Sequence, residues 1–130
     1  MNHIIDQLNK HSWYRSWLDF SIFSFETGKL VICGSDDLSY YHTLELVLSN
    51  PSYISGVFDW RIDIPNNFND VINLEMVSDG IKVNFFEDSE VKLKIICDDI
   101  SISFDTVYYY EKDNLASNER LANFVNSKKV

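Results

Sequence analysis

The chain predicts an α+β fold: mainly antiparallel β-sheet of roughly seven to nine short strands, with a short N-terminal helix and a C-terminal helix. Three observations predict it. The stretch Gly56 to Met76, GVFDWRIDIPNNFNDVINLEM, holds two alternating patterns joined by one turn. Phe58, Trp60, Ile62 and Ile64 share a face against Asp59, Arg61 and Asp63, Pro65 to Asn67 breaks the run, and Ile72, Leu74 and Met76 resume it. Other short runs follow one another without the helices of about ten or more residues that parallel crossovers need, so the sheet is expected to be antiparallel. Helical spacing of apolar residues is confined to the two ends of the chain.

Taken in order, Ile4, Ile5 and Leu8 predict about two turns of amphipathic helix ending near His11 or Ser12, a lid on the sheet. Leu18, Phe20 and Ile22 then alternate with polar residues before Phe23 and Phe25 take over the apolar phase. Such a slip signals a β-bulge or a strand buried on both faces. Glu26 to Lys29 forms a hairpin connection with Gly28 suited to a positive φ, and Leu30 to Cys33 returns. After the polar loop Gly34 to Tyr41, Leu44, Leu46 and Leu48 make a strand that stops at Asn50, Pro51 and Ser52. Ser78 to Gly80 turns into Ile81, Val83 and Phe85; the acidic loop Glu87 to Glu90 leads to Val91, Leu93 and Ile95. A second slip across Ile96 to Asp99 precedes Ile100, Ile102 and Phe104. From Asn114 onward Leu115, Leu121, Phe124 and Val125 have helical spacing, with Asp113 or Asn114 as cap and Lys128 and Lys129 placed to complement the helix dipole.

A chain of 130 residues is expected to form one domain, 1–130, that buries roughly two-thirds of its unfolded surface without metals or disulfides. Cys33 and Cys97 each lie in an apolar run, which predicts buried thiols, with a single bridge between neighbouring strands as the alternative. The opening MNHIIDQLNKH has neither a basic leader nor an apolar core, and no run approaches the ~18 apolar residues of a membrane span, so a cytoplasmic, reducing compartment is expected. Twenty acidic residues against eleven basic ones give a formal charge of −9. Nucleic acid and anionic membrane surfaces would be repelled, so the charge favours a basic partner or none, with solubility alone as the alternative reading.

No catalytic, metal or cofactor motif is present. Asp59 and Asp63 share a strand face, but their spacing puts the carboxylates roughly 13 Å apart, too far for a shared proton or a glycosidase pair. Arg61 stands between them in sequence, which predicts a charged, solvent-facing stripe or part of a docking face. Cys33, Gly34 and Ser35 match only the start of a thiol-protease signature, His3, His11 and His42 lack metal-ligand spacing, and the acidic pairs lack the pattern of a calcium loop. The four glycines are isolated, so no phosphate-cradling loop is formed. Three aromatic groups stand out: Trp13, Tyr14 and Trp17; Tyr40 and Tyr41; and Tyr108 to Tyr110, where alternation forces Tyr109 opposite to its neighbours. Tyrosines beside Asp36 and Asp37 have the composition of a protein-binding patch, with ordinary packing at a sheet rim as the alternative.

The stretch from Leu44 to Phe104 resembles the immunity protein 50 family of bacterial polymorphic toxin systems, on GVFDWRIDIPNNFNDVINLEM with its Asn69 to Leu74 segment, the hairpin after it, and KLKIICDDISISF. The resemblance implies a protein that binds a cognate toxin in the producing cell and blocks it, and it carries no catalytic residue. Charge and resemblance together lead to the expectation of an acidic, non-enzymatic binding protein for a basic toxin domain. Its contacts are expected from Asp36, Asp37, Tyr40, Tyr41, Asp59 and Asp63. The alternative is a small-molecule or carbohydrate-binding β domain, with tyrosines and tryptophans lining a cleft between sheet and helix.

Overall fold

The computed structural model describes residues 2–126. It has the expected class: strands dominate, almost all antiparallel, with a helix α1 at Asn2–Lys10 and one turn of helix, α2, at Asn123–Asn126. Between them run β1 (Trp17–Glu26), β2 (Lys29–Ser35), β3 (Tyr41–His42), β4 (Leu44–Ser49), β5 (Tyr53–Gly56), β6 (Asp59–Asp63), β7 (Ile72–Val77), β8 (Gly80–Glu87), β9 (Glu90–Cys97), β10 (Asp99–Ser103), β11 (Thr106–Tyr108) and β12 (Glu119–Leu121). Twelve strands are thus described; β3, β5, β11 and β12 have only two to four residues, too few to register as alternation in a sequence.

Two sheets enclose the core, one in the order β10-β4-β2-β1-β6 and the other β5-β9-β8-β7. They share a corner. β4 runs on into β5 and β9 into β10, so one antiparallel ribbon leaves the first sheet at the pair Ser49 and Asp99 and enters the second at Tyr53 and Ile96. Three residues on one strand oppose two on the other there, a bulge that turns the ribbon. The second slip of the apolar phase, across Ile96 to Asp99, is this change of sheet. Asp98 N–H donates to the Ser49 carbonyl at 2.9 Å, Ser52 N–H to that of Ile96 at 2.8 Å, and the Asn50 side-chain amide to the Asp98 carboxylate at 3.1 Å. Asn50 has φ 50°, a left-handed conformation that asparagine tolerates and alanine does not. Asn50→Ala is therefore expected to lower unfolding stability by about 1–2 kcal/mol, and Asn50→Gly by a few tenths, read from urea midpoints.

The first phase slip is a bulge at Phe23: Ile22 pairs with Ile32 and Ser24 with Val31. The hairpin after it uses Gly28 at φ 78°. Phe20 of one sheet and Phe85 of the other both pack on Trp60, at 5.3 Å between ring centroids. Ile4, Ile5 and Leu8 bury the apolar face of α1 in the same core. The Asn9 side-chain oxygen accepts the Phe68 N–H at 2.8 Å, which fastens the helix to a 3₁₀ turn at Phe68–Asp70.

Two ends of the alternating stretch depart from expectation. Phe58 is 76% exposed because it lies in the link between sheets, and Met76 is 67% exposed on β7, the edge strand of its sheet. The C-terminal segment departs further. Instead of a helix from Asn114, residues Glu119–Leu121 form β12, parallel to β11, and helix begins only at Asn123. Lys128 and Lys129 lie outside the described residues. The small sheet β12-β11-β3 and α2 build a third layer around Val107, Ala122 and Val125, against which Phe23 and Tyr109 pack. Tyr109 also meets Cys33, so β2 is buried from Leu30 through Ser35. Both cysteines are buried free thiols, and burial pushes each up to about 11. No helix among the described residues is long and apolar enough to cross a membrane.

Candidate functional site

The third layer leaves the outer face of β1 and β6 open, and strand pairing fixes what it displays. Trp17 lies opposite Asp63, Asp19 opposite Arg61, and Ser21 opposite Asp59. Residues two apart share a face. Arg61 stands between Asp59 and Asp63 on this exposed face, as its spacing suggested, but its side chain is turned across to β1. It donates to Asp19 through Nε at 2.7 Å and Nη2 at 3.2 Å, and its guanidinium lies 4.1 Å over the Trp17 ring. The bidentate bond raises the affinity of Arg61 for its proton. Asp59 and Asp63 are thereby left exposed, with no cation within 4.0 Å among the described residues.

The loop between β2 and β3 borders this face. Ser35 is buried and anchors the loop: its hydroxyl donates to the Tyr41 carbonyl at 2.6 Å and accepts the Asp37 N–H at 2.8 Å. The Asp37 carboxylate accepts the Ser39 N–H at 3.2 Å, and its carbonyl accepts the N–H groups of Tyr40 and Tyr41. This is a closed Asx-type turn, so Asp37 serves the loop's own conformation. Asp36 points elsewhere. It accepts the Tyr41 hydroxyl at 2.7 Å and faces Arg15 Nε at 3.5 Å. That hydrogen bond and then burial push the Tyr41 hydroxyl up to about 12, keeping it a donor at neutral pH.

Two depressions flank the loop. One, of about 350 Å³, is walled by Trp13, Trp17, Tyr41 and Tyr108, with Asp36 and Arg15 at its polar side. The other, of about 300 Å³, brings Leu38 of the loop beside Asp19, Asp59 and Arg61. Of the six residues expected at a binding site, Asp36 and Tyr41 line the first and Asp59 lines the second, whereas Asp63, across from Trp17, lines a separate depression with Arg61, Glu87 and Asp88. Tyr40 is 58% exposed and stands 6.3 Å from Tyr110, which leads through Tyr108 back to Tyr41. Sequence reading missed Asp19 and Arg15. Asp19 shows only as the polar member of an alternating strand, and its partner Arg61 comes 42 residues later.

Behind the loop lies a polar chain that no spacing suggested. His42 is fully buried, with Nε2 2.7 Å from Glu45 and Nδ1 2.6 Å from the Tyr109 hydroxyl. A carboxylate only accepts, so Nε2 carries the hydrogen and donates to Glu45, and in the neutral ring Nδ1 accepts the Tyr109 hydroxyl. Arg120 donates to the second Glu45 oxygen at 2.5 Å. Burial pushes Glu45 up, but the hydrogen bond from His42 and the charge and hydrogen bond of Arg120 outweigh it and hold the carboxyl below its ordinary value. Tyr109 points away from Tyr108 and Tyr110, as alternation requires, and joins β2, β3, β4 and β12 through this chain. The histidine is sealed from solvent and clamps the third layer to the first sheet. Among the described residues, no group of three His, Cys, Asp or Glu side chains is disposed to hold a metal ion.

Comparison with protein families, curated proteins and solved structures gave no match to this chain.

Proposed function

We propose that this chain is an acidic, non-enzymatic binding protein. It takes a basic protein partner on the outer face of β1 and β6 and the adjoining Asp36–Tyr41 loop, as an immunity protein takes the toxin it neutralises. The observation that carries this reading is the coincidence of two uncompensated carboxylates, Asp59 and Asp63, on the face of β1 and β6 with an aromatic cleft that adjoins that face at Trp17. The two effects complement each other. A net charge of −9 steers a basic partner from a distance, and aromatic rings at the contact supply desolvated area. A stable complex needs roughly 800 Å² from each partner, within reach of one sheet face with its bordering loop. A cytoplasmic place of action belongs to the same proposal.

Affinity capture from the cells that make the protein, at low and at high salt, tests this reading. The expected result is one stoichiometric basic protein, retained at low salt and released at high salt, whose expression arrests cells unless this chain is co-expressed. An empty capture, or a partner indifferent to salt, would count against it. The aromatic depression supports a second reading, a small-molecule or carbohydrate site. That reading predicts thermal stabilisation by a small ligand with little salt dependence.

A further inference from the structure

The aromatic depression has a chemical selectivity of its own. Three of the chain's own cations already lie on its rings: Arg15 is 5.0 Å from the centroid of Tyr14, Arg61 4.1 Å from that of Trp17, and the Lys112 ammonium 5.1 Å from that of Tyr108. All three of these rings line the same cleft. Significant cation–π contacts occur roughly once per 70–80 residues, so three around one cleft mark it as a surface whose ring faces attract positive charge.

At the polar side stands Asp36, and its two oxygens are unequally engaged. Oδ1 accepts the Tyr41 hydroxyl at 2.7 Å, whereas Oδ2 has only Arg15 Nε at 3.5 Å, well beyond the 2.7–2.9 Å typical of a charge-assisted hydrogen bond. The carboxylate is 13% exposed and the Arg15 side chain 55% exposed. A largely buried carboxylate thus has one oxygen loosely covered by a mobile-length side chain that leans in from solvent.

We infer that this cleft receives an arginine side chain of the basic partner, which displaces Arg15 from Asp36 and from the Tyr14 ring, donates to Asp36 Oδ2 and stacks on the Tyr14 face so vacated, with Trp13, Trp17 and Tyr41 around it. Arg15 is the internal placeholder for that guanidinium. Arginine fits better than lysine because its planar, weakly hydrated head can stack on a ring while its edge donates to a carboxylate. A quaternary ammonium has no N–H to give Asp36. The identity of the donor as a protein rests on the function proposed above, and complementarity with the net charge of −9 favours that source.

The test needs no partner. Capped arginine (Nα-acetylarginine amide) is titrated into the full chain while the indole N–H signals of Trp13, Trp17 and the buried Trp60 are followed by NMR. Capped citrulline serves as the neutral isostere. Arginine is expected to shift Trp13 and Trp17 saturably and leave Trp60 still; citrulline is expected to do neither. Arg15→Ala opens the subsite and should tighten arginine at least fivefold. Asp36→Asn keeps an oxygen for the Tyr41 hydroxyl and should weaken it at least tenfold. An equal response to citrulline, or no saturable shift in the Arg15→Ala protein, would overturn the inference. Tetramethylammonium binding that Asp36→Asn leaves unchanged would overturn it as well, and identify a site for small quaternary cations. Failure of the capture experiment with success here would remove the protein partner and leave the cleft's chemistry standing; the opposite pair of results would do the reverse.

Discussion

Replacing Asp59 and Asp63 together by lysine is expected to slow association with the basic partner about a hundredfold at low ionic strength, within the 10–10³ range that electrostatic steering spans. The change adds four charge units to one face, at two positions with no cation of their own within 4.0 Å among the described residues. Nothing else is disturbed, since both side chains are exposed and the Arg61 bond to Asp19 remains. Stability should therefore stay within about 0.5 kcal/mol of the parent. Stopped-flow association at roughly 20 mM and 500 mM salt checks the effect, because the Debye length shrinks several-fold across that range and the two proteins should converge. Dissociation should change much less. Unchanged association of a well-folded double variant at low salt would move the docking surface elsewhere.

Glu45→Ala is expected to destabilise the fold by about 3 kcal/mol, the cost of stranding a buried polar partner. His42 has no access to water, so the loss of the acceptor at 2.7 Å leaves its Nε2–H without a hydrogen bond, and Arg120 loses its bond across to β4. At this chain length the melting temperature should fall by roughly 10 °C. The parent protein carries the matching pH signature. The folded-state pKa of Glu45 is depressed below the ordinary value of 4.5, so the stability it contributes is fully present above that value. It is lost as pH falls through the lower, folded-state pKa. Thermal melts from pH 6 downward should show the parent approaching the Glu45→Ala protein in strongly acid solution. A constant gap between the two would mean that Glu45 acts through packing alone.

The sheet elements were readable because burial on one face leaves an alternating trace. Leu18, Phe20, Trp60, Ile62, Val83, Phe85, Leu93 and Ile95 all face the core that their spacing implied. Both breaks in phase were physical features, one the bulge at Phe23 and the other the corner between sheets. What alternation cannot carry is the third layer. β3, β11 and β12 are too short to show a period, and the parallel pairing of β12 with β11 depends on contacts that leave no local trace. Helical spacing from Leu115 onward accordingly misled, because Leu121, half-buried, and Val125, buried, are placed by a strand and a single turn, not by a long helix. The candidate site was half legible. Its acidic and aromatic members could be named from composition, yet the choice of Asp19 as the partner of Arg61 and the burial of His42 are products of strand register alone.

The bent ribbon at Asn50 and Asp98 also determines how the molecule can come apart. Its pairs join residues 43 to 50 positions distant in the chain, Tyr53 with Ile96 and Ser49 with Asp99. Each of its two arms passes directly from one sheet into the other, β4 into β5 and β9 into β10. Neither sheet can therefore open at this side without disturbing the other, and neither can be completed on a ribosome before residue 97 has emerged. The corner makes the two sheets one cooperative unit, and it postpones that unity until β10, the last strand of either, has been made.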